Sequence, residues 1–166
     1  MLRNSDVRFL IMGKISAKLS ELGLMLPIPA KPVANYVPWV ISGSLVFVAG
    51  QLPLEGGKPK FVGQVGAALS MEDGAAAARL CAMNLLAQLN DACSGDLERI
   101  TRIVKLLGFV NCGPDFTDIS KVMNGASDLF ALLFGEAGKH ARSSVGVTSL
   151  PLGVAVEIEV IAEIMI

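Results

Sequence analysis

The sequence predicts an α+β domain, a mixed sheet with two helices packed on one face. Three observations lead there: two short β-type runs around Ser42-Gly43-Ser44, two helical patterns separated by an apolar strand, and an alternating strand at the end. The resulting order is strand-strand-helix-strand-helix-strand-strand, which is a layered arrangement rather than a bundle or sandwich. At 166 residues the chain reads as one domain large enough to bury a core.

Each element has a local cause. Lys14 to Leu22 forms a short amphipathic helix, with Ile15, Leu19 and Leu22 on one side and Gly23 as its stop. Pro27, Pro29 and Pro32 then impose an extended connector. Tyr36 to Ile41 and Leu45 to Ala49 are rich in β-formers and make a hairpin, closed by Gly50-Gln51-Leu52-Pro53. Ser70 caps a long helix, with Glu72 and Asp73 in its positively polarised first turn. Ala78, Cys81, Ala82, Leu85, Leu86 and Leu89 give that helix its apolar face. Ile100 to Val110 is a continuously apolar strand suited to burial on both faces. Asp115 caps a second helix reaching Phe134, with Val122, Met123, Leu129, Leu132 and Leu133 inward. Residues 1–12 read as a frayed leader or start-site extension, so the chain divides into a leader with a short helix (1–32) and the main domain (33–166).

Composition narrows the function. Fourteen basic against fifteen acidic residues leave a net charge of −1, which argues against an electrostatic nucleic-acid surface. Mean hydropathy is high at +0.58, yet Arg79, Asn84 and Gln88 interrupt the richest apolar stretch, so no membrane span is expected. The excess apolar character instead predicts an outer face covered by sister subunits. Cys81, Cys93, Cys112 and the single His140 lack metal-type spacing, so no metal site is expected and the thiols read as buried side chains of a cytoplasmic protein. The glycine-rich loop through Gly56, Gly57 and Gly63 lacks the lysine and hydroxyl of a phosphate loop.

The C-terminal quarter carries the chemistry. Arg142 opens an apolar run, Leu150-Pro151 turns the chain, and an alternating strand brings Glu157 fifteen positions later. Were the two strands antiparallel neighbours, both side chains would face one pocket, joining a carboxylate-binding fork to a proton-transferring carboxylate. Each also has a structural reading: an ion pair with Glu159 for Arg142, and a solvated strand face for Glu157. Trp39 reads as core or interface packing. His140 is a candidate cleft residue that is as easily incidental.

Four patches in this order resemble the Rid family of reactive intermediate deaminases, also called YjgF or endoribonuclease L-PSP proteins. They are Tyr36-Val37 with Ala49-Gly50-Gln51-Leu52-Pro53, Asp96-Leu97 to Val110-Asn111, Asp115-Phe116 with Asn124, and Arg142-Ser143 to Glu157-Ile158-Glu159. The resemblance covers roughly residues 35–161 and implies a chorismate-mutase-like fold assembled as a homotrimer with clefts between subunits. It further implies hydrolysis of amino-acid-derived enamines and imines to 2-oxo acids and ammonia, with no metal or cofactor. Carried over by position, Arg142 clamps a small carboxylate substrate, Glu157 positions water and shuttles the proton, and Tyr36 of an adjacent subunit walls the pocket. The backbone at Gly50 and Ser144 holds substrate and water, and Asn124 lines the same region. Departures are Ala49, Ser144 and Gly146, where the family has serine, cysteine and often an acidic residue. Two other functions remain open: a non-catalytic binding module for 2-oxo acids, and the ribonuclease or translation-inhibitor role of the family's older label. The second is disfavoured by the charge and by a single histidine.

Overall fold

The structure is a computed structural model that describes residues 13–30 and 35–166. The first twelve residues, read above as a leader, lie outside the described residues. The elements in chain order are α1 (Lys14–Glu21), β1 (Trp39–Ser42), β2 (Leu45–Gln51), β3 (Leu54–Glu55), β4 (Lys58–Pro59) and α2 (Met71–Ala92). They continue with β5 (Ile100–Asn111), α3 (Ile119–Phe134), β6 (Ala141–Val147) and β7 (Val156–Ile164). The five long strands form one mixed sheet in the order β1-β2-β7-β5-β6, and β3-β4 make a separate two-stranded ribbon. That ribbon turns through Gly56-Gly57, both at positive φ, the backbone demanded by the tightest hairpin turns.

One face of the sheet carries α2 and α3. The predicted face of α2 is fully buried at Ala78, Cys81, Ala82, Leu85, Leu86 and Leu89. Its start is a capping box: Ser70 Oγ accepts from the Asp73 N–H, and the Asp73 carboxylate accepts from the Ser70 N–H, both at 3.0 Å. The two helices cross closely because small residues meet there. A Cβ added at Gly125 would lie 2.0 Å from the Ala75 carbonyl oxygen. The short N-terminal helix joins this layer as a third member. Ile15 and Leu19 are buried in the common core, and Lys18 Nζ donates to the carbonyl of Leu132 at 3.1 Å.

Several expectations change. The helix α3 begins at Ile119 rather than after Asp115, and its N-cap Asp118 makes no side-chain capping bond. Leu132 is exposed and Leu22 is 42% exposed; Ala126 and Phe130 take inward positions on α3. The strand β5 is not buried on both faces: Ile103, Leu106 and Val110 point into the core, whereas Thr101, Lys105, Leu107 and Phe109 alternate on the other side. Helices cover only one face, so the strand's apolar outer residues stay half-exposed in the single chain. Tyr36 precedes β1 rather than lying within it, and Trp39 packs on the core side with Nε1 donating to Asp91 Oδ2 at 2.9 Å.

Glycine 125 gives the first test. Gly125→Ala should destabilise the protein by roughly 1–3 kcal/mol, the usual cost of overpacking a core, because the clash is with backbone that cannot rotate away. A urea titration followed by circular dichroism measures it, and an unchanged midpoint would refute the close crossing.

Candidate functional site

Strand pairing decides where the predicted site residues go. The strand β6 runs parallel to β5, and β7 lies antiparallel on β5's other side, so β6 and β7 are not neighbours. Arg142 sits beside Leu106, a fully buried core residue, whereas Glu157 sits beside Phe109 on the opposite, half-exposed side. Alternation along β5 therefore places Arg142 and Glu157 on opposite faces of the sheet. The expectation that both face one hollow within a chain is corrected by this topology.

The first group lies around Glu157. Tyr36, Gly50 and Glu157 line a hollow of about 370 Å³ with Ala30, Leu52 and Leu152. Tyr36 lines this hollow beside Glu157 of the same chain. Gly50 is required by proximity: a Cβ there would fall 2.0 Å from Glu157 Oε1. Burial raises the Glu157 carboxyl above its ordinary value, and the neighbouring charge of Glu159 raises it further. Such a group takes and returns a proton nearer to neutral pH than a solvated carboxylate does.

Polar residues of α2 hold this hollow's walls. Asn84 Nδ2 donates to the carbonyls of Leu52 (2.8 Å) and Leu54 (3.1 Å), and Gln88 Nε2 donates to Ala30 O at 2.8 Å. In the sequence these two amides only interrupt an apolar stretch; folded, they fasten loops that the helix cannot otherwise bind. The far wall, Pro151 and Leu152, is tied down by Gly63 N–H donating to Gly153 O at 2.8 Å.

The second group lies around Arg142, at the sheet's β6 edge against α3. Arg142 Nη1 donates to Asn124 Oδ1 (3.0 Å) and Ser127 Oγ (2.9 Å), and Nη2 donates to the Ser120 carbonyl (3.2 Å). Every partner is neutral, and none of the ion pairs found among the described residues includes Arg142. A guanidinium oriented by neutral acceptors keeps its full charge available to an anion. His140 Nε2 lies 3.0 Å from Ser127 Oγ, and Ser127, His140 and Arg142 border one shallow depression. Ser144 is two residues along β6 and so on the same face as Arg142, beside Gly108. Sequence reasoning missed Ser127. The only signal for it was its spacing from Asn124, three positions along one helix, which puts both on one face.

The fold and these two groups define an α+β protein with an arginine and a half-buried carboxylate on different faces of one sheet. The family described as "YjgF/chorismate_mutase-like, putative endoribonuclease" matches residues 16–164, and the chain belongs to it. Protein TCP17 of Trypanosoma cruzi is 48% identical over 153 residues, covering 92% of this chain and 95% of that one. The solved structure of Atu1372 from Agrobacterium tumefaciens, a protein of unknown function, is 48% identical with a TM-score of 0.85, covering 92% and 94% of the two chains. Escherichia coli TdcF, solved with bound serine, is 26% identical with a TM-score of 0.60 over 85% and 96%.

The raised carboxyl has a consequence for stability. The folded chain holds the Glu157 proton at pH values where the unfolded chain has released it, so its contribution to stability falls as pH rises from the ordinary carboxylate value through the raised one. Glu157→Gln removes that loss. Between roughly pH 4 and pH 8, its urea midpoint relative to the native chain should climb with pH. A constant difference would show that the carboxyl is not perturbed.

Proposed function

We propose that the protein hydrolyses small 2-imino acids, and the enamines from which they form, to 2-oxo acids and ammonia in a site shared between two copies of the chain. The observation that carries this reading is the division of the chemistry: Arg142 on one face, Glu157 on the other, each in a concave setting of its own. A heterologous contact that closes into a ring brings one copy's arginine face to the next copy's glutamate face, and a homotrimer is the smallest such ring. The half-exposed outer sheet face bearing Phe47, Leu107, Phe109 and Val145 supplies apolar surface for that contact.

In this site the Arg142 fork binds the substrate carboxylate, and Asn124 and Ser127 hold the fork. Glu157 takes a proton from water, whose oxygen attacks the imine carbon. Glu157 returns that proton to the imine nitrogen, and the resulting tetrahedral adduct collapses as its hydroxyl proton passes by way of Glu157 to the departing amine, leaving a 2-oxo acid and ammonia. Backbone at Gly50 and Ser144 lines the two sides of the reacting group, and Tyr36 closes the hollow. The chemical demand is modest, since such imines hydrolyse in water and need only orientation and proton transfer. Serine bound to TdcF, an amino acid with the same carboxylate, supports the substrate class. Cytoplasmic residence belongs to this reading, because Cys81, Cys93 and Cys112 are buried free thiols suited to a reducing compartment.

Activity is measured on 2-iminobutyrate generated in place by an amino-acid oxidase. Arg142→Ala should raise KM by roughly 10- to 100-fold, the range of a charge-assisted hydrogen-bonded pair, whereas Glu157→Gln should abolish kcat. Dissociating the two inactive variants and reassembling them together should restore roughly a quarter of the sites, since each intact site needs one good residue from each of two neighbours. No rate above buffer for the native protein would overturn the activity. Two inactive variants that never complement would overturn the shared site.

A further inference from the structure

His140 and Ser127 form a hydrogen-bonded chain that ends on the guanidinium of Arg142. His140 Nδ1 lies 2.6 Å from the carbonyl oxygen of Gly138. A carbonyl can only accept, so Nδ1 carries the proton. In the neutral ring Nε2 then holds a lone pair, which accepts the Ser127 hydroxyl hydrogen across 3.0 Å. That choice turns the lone pairs of Ser127 Oγ toward Arg142 Nη1, 2.9 Å away. Donation runs in one direction throughout, from Arg142 to Ser127, to His140, to the Gly138 carbonyl, the arrangement in which each bond strengthens the next.

The anchor is rigid. Gly138 is buried, and a Cβ there would lie 2.2 Å from the Phe130 carbonyl oxygen. The imidazole meets the Phe130 ring edge-on, with centroids 6.2 Å apart. Charged groups around the ring are Arg142 from β6, with Asp128 of α3 and Lys139 bordering the same depression; Lys139 pairs with Glu136 at 2.6 Å. Burial holds His140 below the ordinary imidazole value and the Arg142 charge adds to that, against the opposing pull of the Gly138 carbonyl. The neutral ring that the chain requires is thus the form the surroundings favour.

We propose that Ser127 and His140 are positioning residues, which fix the Arg142 fork in the orientation that receives a carboxylate and do not themselves touch the substrate. The inference rests on the carboxylate-binding role of Arg142 given above. It replaces the expected role of His140 as a substrate-binding side chain. Its physical content is pre-organisation: a long, rotamer-rich arginine is held before the ligand arrives, so less freedom is lost on binding.

Calorimetry with 2-oxobutyrate and kinetics with 2-iminobutyrate test it. Ser127→Ala and His140→Ala should each weaken 2-oxobutyrate binding by roughly 3- to 10-fold and raise KM to match, with a smaller change in kcat. The double variant should be no weaker than Ser127→Ala alone, and Ser127→Thr, which keeps the hydroxyl, should restore affinity. Loss of native 2-oxobutyrate binding altogether would overturn this inference together with the carboxylate role. Binding that Arg142→Ala abolishes, but that Ser127→Ala and His140→Ala leave unchanged, would overturn this inference alone. Failure of Ser127→Thr to restore what Ser127→Ala loses would do the same.

Discussion

A β-strand shows alternate side chains to opposite faces of its sheet, and that constraint divides this molecule into a covered face and an open one. On the covered face Ile103, Leu106, Val156, Ile158 and Val160 meet the small apolar residues of α2 and α3. On the open face the intervening positions are Lys105, Leu107, Phe109, Glu157 and Glu159. Helices that cover one face leave the apolar part of the other half-wet, which explains a chain whose mean hydropathy exceeds what its own core can absorb.

The same constraint separates the arginine from the carboxylate. Placing β5 between β6 and β7 sends Arg142 to the helix side and Glu157 to the open side, in the company of different partners. Arg142 is held by the neutral acceptors Asn124 and Ser127, so its charge is undiminished; Glu157 is pressed against Gly50 beside Glu159, so its proton affinity rises. Two charges of opposite sign within one chain would have neutralised each other in a direct ion pair. Their separation leaves neither charge neutralised by the other.

Polar residues inside the helix layer serve the hollow rather than the core. Asn84 and Gln88 are buried amides on an otherwise apolar helix, a costly placement unless they are hydrogen-bonded. Their donors go to the carbonyls of Ala30, Leu52 and Leu54, which lie in the hollow's walls. The stability of α2 and the shape of the hollow beside Glu157 are thereby coupled through a few hydrogen bonds.

Local signals reached far into this fold. Ser70 with Asp73 marked the start of α2, Gly43-Ser44 marked the first hairpin, and the periodicity of residues 78–89 identified the buried face, because capping, turns and helical spacing act within a few residues. Arg142, Glu157, Tyr36, Gly50 and Asn124 were all visible as candidates from their types and from the family resemblance. The order of strands was not visible, since nothing local to 141–164 says that β5 inserts between β6 and β7. Nor was the role of Ser127, whose meaning depends on a histidine thirteen residues away and an arginine fifteen away. The sequence by itself determined the elements and the chemical groups; the tertiary structure decided which face each group occupies, because facing depends on pairing between strands distant along the chain.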